Sequence, residues 1–180
     1  VFFSGTFLPL PYYRSLFSTR EDDYAICAAS PFPRENLKLL VARDVSSKYT
    51  RRDQEEYKKI AEYIYQMIRG KKGNYLVFLP SYRMLEDICQ AFQERIREED
   101  FHIDCLLQSS GMSEADREEF LEAFEEEGEN TLVGFCVMGG IFSEGIDLTG
   151  KRLIGAAVVG TGLPQVGSER EILKEYYDKK

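Results

Sequence analysis

No Gly-x-x-x-x-Gly-Lys-Ser/Thr phosphate loop occurs in these 180 residues, nor any Asp-Glu-x-His or Asp-Glu-x-Asp box. The first motif cradles a triphosphate and the second holds its metal ion, so nucleotide turnover by this chain alone is not expected. Long apolar runs are missing as well. None approaches the roughly 20 residues that span a bilayer, and no basic-then-apolar leader opens the chain. No membrane segment is therefore expected, and cytoplasm is the default compartment. Cys27, Cys89, Cys105 and Cys136 lie far apart, with no metal-ligand spacing and no iron–sulfur pattern. They read as buried free thiols of a reducing compartment. The single histidine, His102, falls in an expected strand without a sequence-adjacent partner, which favours a structural role.

Basic charge is in deficit too. Lys and Arg total 23 against 31 Asp and Glu, a net charge of −8. A protein that grips nucleic acid by itself usually presents a basic surface, so tight independent binding is not expected. Much of the acid lies in Glu114–Glu129 and reads as a solvated helix face. The small basic groups at Arg51-Arg52, Arg69 to Lys72 and Lys179-Lys180 do not amount to a nucleic-acid patch. Repeats and low-complexity tracts are absent, and 43% hydrophobic with 13% aromatic residues is globular composition rather than disorder. A chain this long suits one domain that buries roughly 70% of its unfolded surface.

What is present alternates between two periods. Pro9, Pro11, Pro31 and Pro33 punctuate the first forty residues, marking a connecting region, with Leu37–Val41 a short strand candidate. Tyr57, Ile60, Ala61, Ile64, Met67 and Ile68 recur at helical spacing from Gln54 to Arg69, and Gly70 with Gly73 closes that helix. Tyr75–Leu79 is a continuous apolar run, as a strand covered on both faces requires. Ser81 can cap the next helix, whose stripe is Leu85, Ile88, Cys89, Phe92 and Ile96. His102–Leu107 reads as a strand and Gln108-Ser109-Ser110-Gly111 as a polar loop. Ser113-Glu114-Ala115-Asp116 approximates a capping box, followed by Phe120, Leu121 and Phe124 as a buried side. Thr131–Val137 and Leu153–Val159 complete the strands, and Gln165–Arg170 leads into a helix over Glu169–Tyr177. Strands alternating with helices imply right-handed crossovers and a parallel sheet covered on both faces, an α/β fold.

Residues 139–148, Gly-Gly-Ile-Phe-Ser-Glu-Gly-Ile-Asp-Leu, form the most telling stretch. Two glycines at a buried strand's end let the backbone turn tightly against a bulky ligand. A hydroxyl (Ser143) and two carboxylates (Glu144, Asp147) then flank Gly145, at the strand end where α/β proteins bind ligands. Leu153–Val159 opens into a second such loop, Gly160-Thr161-Gly162-Leu163-Pro164.

The stretch resembles motif V of the XPD/DinG family of superfamily 2 DNA helicases, with its Ser-Glu-Gly-x-Asp core. Val1 to Pro9, with Ser4-Gly5-Thr6, is similar to motif III, Gly5 replacing the usual alanine. Phe78-Leu79-Pro80-Ser81-Tyr82 resembles motif IV. The three occur in family order and span nearly the whole chain. The resemblance implies a RecA-like lobe of the phosphate-loop NTPase type that itself lacks the phosphate loop. It also implies a boundary: 1–35 connects from a first motor lobe, and 36–180 is the second lobe. The family's Gln-x-x-Gly-Arg-x-x-Arg motif is not matched by Gln165–Arg170, and the expectation is a piece of a larger enzyme that stops before it.

By the same resemblance, Ser4, Gly5, Thr6, Glu144, Gly145 and Asp147 would couple to the ATP cleft. Ser81, Tyr82, Gln108 and Ser143 would meet single-stranded DNA. Ser81 is equally well explained as a cap and Tyr82 as packing, against phosphate contact and base stacking. ATP and Mg2+ are the cofactors implied for the full enzyme, whose first lobe would be a partner in cis, with a monomeric state and 5′ to 3′ movement. The rival expectation is a stand-alone α/β binding or scaffold domain of helicase shape without ATPase activity.

Overall fold

The computed structural model of the chain describes every residue except Thr6, Thr19, Glu21, Phe101, Glu126, Glu127, 163–166 and Lys180. It divides into two compact units, Val1–Val41 and Ala42–Lys180.

Among its described residues the first unit holds one α-helix, α1 (Leu10–Phe17), with a proline in its first turn. That position suits proline, whose missing N–H would be unpaired there anyway. The proline-punctuated region, expected as a connection, thus contains a regular element. Phe2 stacks on Phe17 at 4.4 Å and Phe7 tilts against Tyr13 at 5.0 Å. One strand expectation fails in this unit: Leu37–Val41 joins no ladder. Leu39 and Leu40 are 80% and 74% exposed, and an apolar run without a neighbouring strand cannot satisfy its backbone as sheet.

In the second unit, α2 (Gln54–Ile68) starts at Asp53, whose side chain accepts the Glu56 backbone N–H. There follow β1 (Asn74–Leu79), α3 (Tyr82–Ile96), β2 (Ile103–Leu107), α4 (Glu114–Glu122), β3 (Thr131–Val137), β4 (Gly155–Val158) and α5 (Ser168–Asp178). The four strands form one parallel sheet in the order β2-β3-β1-β4. This is the α/β sheet with helices on both faces that the alternating pattern implied.

Handedness decides the faces. The step from β1 outward to β2 carries α3, and the return step from β2 to β3 carries α4. Right-handed crossovers in opposite directions put their helices on opposite faces. Tyr75, Val77, Leu79, Val133 and Phe135 accordingly pack with α2 and α3. Leu76 and Cys136 pack on the other face with Phe120, Phe124 and Phe142. The step from β3 to β4 has only a 3-10 turn (Gly150–Arg152), and the apolar residues of the 139–148 loop cover the sheet there in place of a helix.

Gly134, mid-strand in β3, is what lets α4 sit so close. A Cβ there would fall 2.8 Å from Phe124, 2.9 Å from Leu76 and 3.0 Å from Phe120. Cys89 and Cys136 are buried, Cys105 is half-buried, and all the cysteines are free. Cys27 departs from the expected burial because its segment lies exposed in the first unit. Burial pushes the Cys136 thiol up to about 12. His102 precedes β2 and lies exposed, its Nε2 3.1 Å from Asp104 Oδ1, a partner two residues away that the sequence reading did not see. Among the described residues no helix is long and apolar enough to cross a membrane.

Candidate functional site

Because the strands are parallel, the segments after β1, β2, β3 and β4 all emerge at one edge of the sheet, where α/β folds bind ligands. Ser81-Tyr82, Gln108, the 139–148 loop and Gly160-Thr161-Gly162 therefore share a side. Residues 163–166, including Leu163 and Pro164, lie outside the described residues.

Gln108 joins these segments. It is 3% exposed. Its backbone N–H extends the ladder to Phe135 O, after which the chain turns away from β3. Val137 N–H, which would need the next carbonyl along, instead donates to Gln108 Oε1 at 2.8 Å. Gln108 Nε2 donates to Tyr82 Oη at 3.1 Å. A single amide thus ties the end of β3 to the first residue of α3. Gly140 leaves the room: a Cβ there would lie 2.9 Å from Gln108 Nε2. Ser81 caps α3 by accepting the Met84 N–H at 3.4 Å, and both Ser81 and Tyr82 stay half-buried.

The 139–148 loop is anchored from below and open above. Met138 N–H donates to Leu79 O, Gly140 N–H to Val137 O and Ser143 N–H to Gly140 O. Ser143 Oγ reaches Val137 O at 3.3 Å. Phe142 is 1% exposed and stacks on Phe120 of α4, ring centroids 4.3 Å apart. Ile146 and Leu148 dip partly into the same cluster, while Ser143, Glu144, Gly145 and Asp147 face solvent. Gly145 has φ +71°, a left-handed conformation that glycine adopts without strain. Among the described residues, neither Glu144 nor Asp147 forms an ion pair, so both carboxylates are available.

Arg117, on α4, is the residue sequence reasoning missed. Its Nη2 donates to Gly145 O at 3.3 Å and its Nη1 to Glu114 at 2.7 Å, while its Nε is buried without a partner. One signal was there to be read. Arg117 is the lone cation between Arg97 and Lys151, set in an acidic helix that had no evident use for it.

Ser81, Tyr82, Gln108 and Ser143 to Asp147 share the strand-end edge. Ser4 and Gly5 are exposed in the first unit, ahead of α1, and Thr6 lies outside the described residues. As to a nucleotide and its metal, no group of three or more His, Cys, Asp or Glu among the described residues converges as a metal site. The residues present do not fit a magnesium–triphosphate site by themselves.

A parallel sheet with helices on both faces, with Ser-Glu-Gly-x-Asp exposed at its strand-end edge, has the α/β architecture of a RecA-like lobe. The chain belongs to the helicase C-terminal domain family, which it matches over residues 64–180. It is 27% identical over 154 residues to a probable ATP-dependent helicase, MJ0942, of Methanocaldococcus jannaschii, covering 82% of this chain. It spans about a fifth (22%) of that relative's length. Two solved XPD structures share the fold. One, described as apo, superposes with a TM-score of 0.55 at 24% identity, over 76% of this chain and 26% of that one. The other, described as the helicase, gives 0.54 at 23%, over 75% and 22%. The XPD/DinG resemblance carried by the three motifs is borne out.

Proposed function

We propose that this domain is the second motor lobe of an ATP-dependent DNA helicase, coupling events in an inter-lobe ATP cleft to 5′ to 3′ movement on single-stranded DNA. One observation carries the proposal. The 139–148 loop is held to α4 through Phe142 and Gly145 O, yet leaves Ser143 and both carboxylate residues exposed. A loop that is fixed underneath and polar on top can pass displacement between two surfaces.

In this reading Gly145 and Asp147 face the nucleotide cleft, with Glu144 beside them, and Ser143 lies toward the DNA backbone. Ser81 and Tyr82 offer a hydroxyl and an aromatic ring at the same edge, for a phosphate and a base. Gln108 acts from beneath by fixing Tyr82. Ser4, Gly5 and Thr6 belong to the coupling path from a first lobe in cis. ATP and Mg2+ are assigned to the whole enzyme, and no hydrolytic step is routed through residues of this chain. The domain alone is inactive and works within a monomer.

The test is Asp147→Asn in the full-length enzyme. DNA-stimulated ATP hydrolysis should fall at least tenfold, as expected when a charged hydrogen bond worth about 1.5–3 kcal/mol is lost from the closed state. The melting temperature should hold, because Asp147 is exposed. Unchanged turnover would reduce Asp147 to a turn residue, and robust ATP turnover by the 180-residue chain alone would overturn the assignment of a partner lobe.

A further inference from the structure

Beside the strand-end edge, a cavity of about 300 Å³ is lined by Tyr49, Arg52, Tyr57, Ser81, Arg83 and Met84. It brings together parts that are distant in sequence. Tyr49 and Arg52 precede α2, while Ser81 and Arg83 open α3. Two arginines and a helix-capping serine line it, and no carboxylate does. Against a chain charge of −8, that local sign is the exception.

Two nearby acids are occupied elsewhere. Glu56, buried at 5% exposure, pairs with Arg51 at 3.2 Å and also accepts the Ser46 N–H. Asp53 is engaged as the α2 cap, while Asp87 does not line the cavity but lies close enough to Tyr57 to raise its hydroxyl's pKa, after the larger effect of burial. Arg52 is held in place by its Nε, which donates to Ser47 O at 3.0 Å, so its two terminal nitrogens remain for a ligand. Arg83 is exposed and makes no ion pair among the described residues. The Arg52 guanidinium lies over the Tyr49 ring, 5.7 Å from its centroid. The ring is thereby oriented, yet Tyr49 is 84% exposed and its opposite face is open. An exposed aromatic ring next to two available guanidinium groups is the combination that binds a base and its phosphate together.

We infer that this cavity is a nucleotide-unit subsite, with the phosphate between Arg52 and Arg83 and the base stacked on Tyr49. Two sources carry that chemistry: one nucleotide of a single strand, or a free mononucleotide. The strand as source rests on the DNA reading proposed above. Ser81, at the cavity's rim, would connect the subsite to the 139–148 edge, so that a strand crossing β1 passes over both.

The test uses the full-length enzyme and photo-crosslinking to oligothymidylate carrying 5-iododeoxyuridine, with adducts mapped by peptide mass. A parallel arm uses 8-azido-ATP. The expected result is an adduct on Tyr49 with the oligonucleotide, lost in Tyr49→Ala. Oligonucleotide affinity should fall about tenfold in that variant, as loss of one stacked base implies. Arg83→Gln should lower the slope of log affinity against log salt by about 0.7, the signature of one single-strand phosphate contact. Tyr49 and Arg83 are exposed, so both variants should melt with the parent. A Tyr49 adduct with 8-azido-ATP only would support the subsite and assign it to a mononucleotide. Adducts confined to 139–148, with affinity and slope unchanged, would overturn the subsite while the DNA reading stands. No adduct in either arm would overturn both.

Discussion

Replacing Gln108 by methionine should cost the second unit about 2 kcal/mol, although the side chain keeps its length and buries more apolar surface. Two hydrogen bonds disappear, from Val137 N–H at 2.8 Å and to Tyr82 Oη at 3.1 Å. Their losses are unequal. The Tyr82 hydroxyl is on a half-buried ring and can turn to water, so its bond contributes little to the difference. Val137 N–H, half-buried at the point where β2 has turned away, loses its ladder-completing acceptor once the amide is gone. A buried donor left unpaired costs about 1–3 kcal/mol, more than the roughly 1 kcal/mol net value of an ordinary hydrogen bond. Gln108→Ala should cost more, because it adds lost packing at about 0.8 kcal/mol per buried methylene. Urea unfolding followed by far-ultraviolet circular dichroism measures this. With a slope of about 2 kcal/mol per molar for a unit of this size, the methionine midpoint should move down by about 1 M. A methionine variant within about 0.2 M of the parent would refute the view that the amide completes the ladder.

The remaining expectations concern the loop, the sheet and the α4 cap. Arg117→Ala should speed amide hydrogen exchange across 139–148 by about fivefold, for one hydrogen bond of about 1 kcal/mol, while β1 and β3 keep their protection; equal exchange would remove Arg117 as the loop's tether. Gly134→Ala should lower stability by about 1–3 kcal/mol through overpacking, and Phe120→Leu in the same chain should recover part of it in a thermal melt. Hydrogen bonds from Ser113 hold the Asp116 carboxyl below its ordinary value. A depressed carboxylate stabilises the fold above its unfolded pKa, about 3.9, and that contribution is lost as pH falls through the folded value. The parent should therefore lose urea resistance as pH falls below about 4 more steeply than Asp116→Asn, and equal slopes would refute the capping role.

Legibility in the sequence followed the physics of each element. Tyr75–Leu79 and Thr131–Val137 are apolar on consecutive residues because both their faces are covered, and such runs admit few other readings. Ser81 and Ser113 announced helix starts through local chemistry, and both caps are present. Leu37–Val41 misled because an apolar run states only that burial is favourable. Whether a neighbouring strand is available depends on distant chain. The same limit hid the interior of the site. Gln108 was legible as a polar residue at a strand end, but its burial depends on Gly140 leaving space and Val137 lacking an acceptor. Arg117 and the Tyr49–Arg52–Arg83 group are contacts across 28 and more than 30 positions, with no periodicity to betray them.

The 139–148 loop is fastened to α4 at two points three residues apart, by the Phe142–Phe120 stack and the Arg117–Gly145 bond. Between those rivets lie only Ser143 and Glu144. The pliable joints lie outside them, at Gly139 and Gly150, which have φ +73° and +63°. In the proposed motor, load applied to Glu144 would reach α4 as through the arm of a rocker with two glycine pivots, rather than being dissipated within the loop. Stiffness of the arm, set by Phe120 and Arg117, and ease of the pivots would then be separately adjustable quantities.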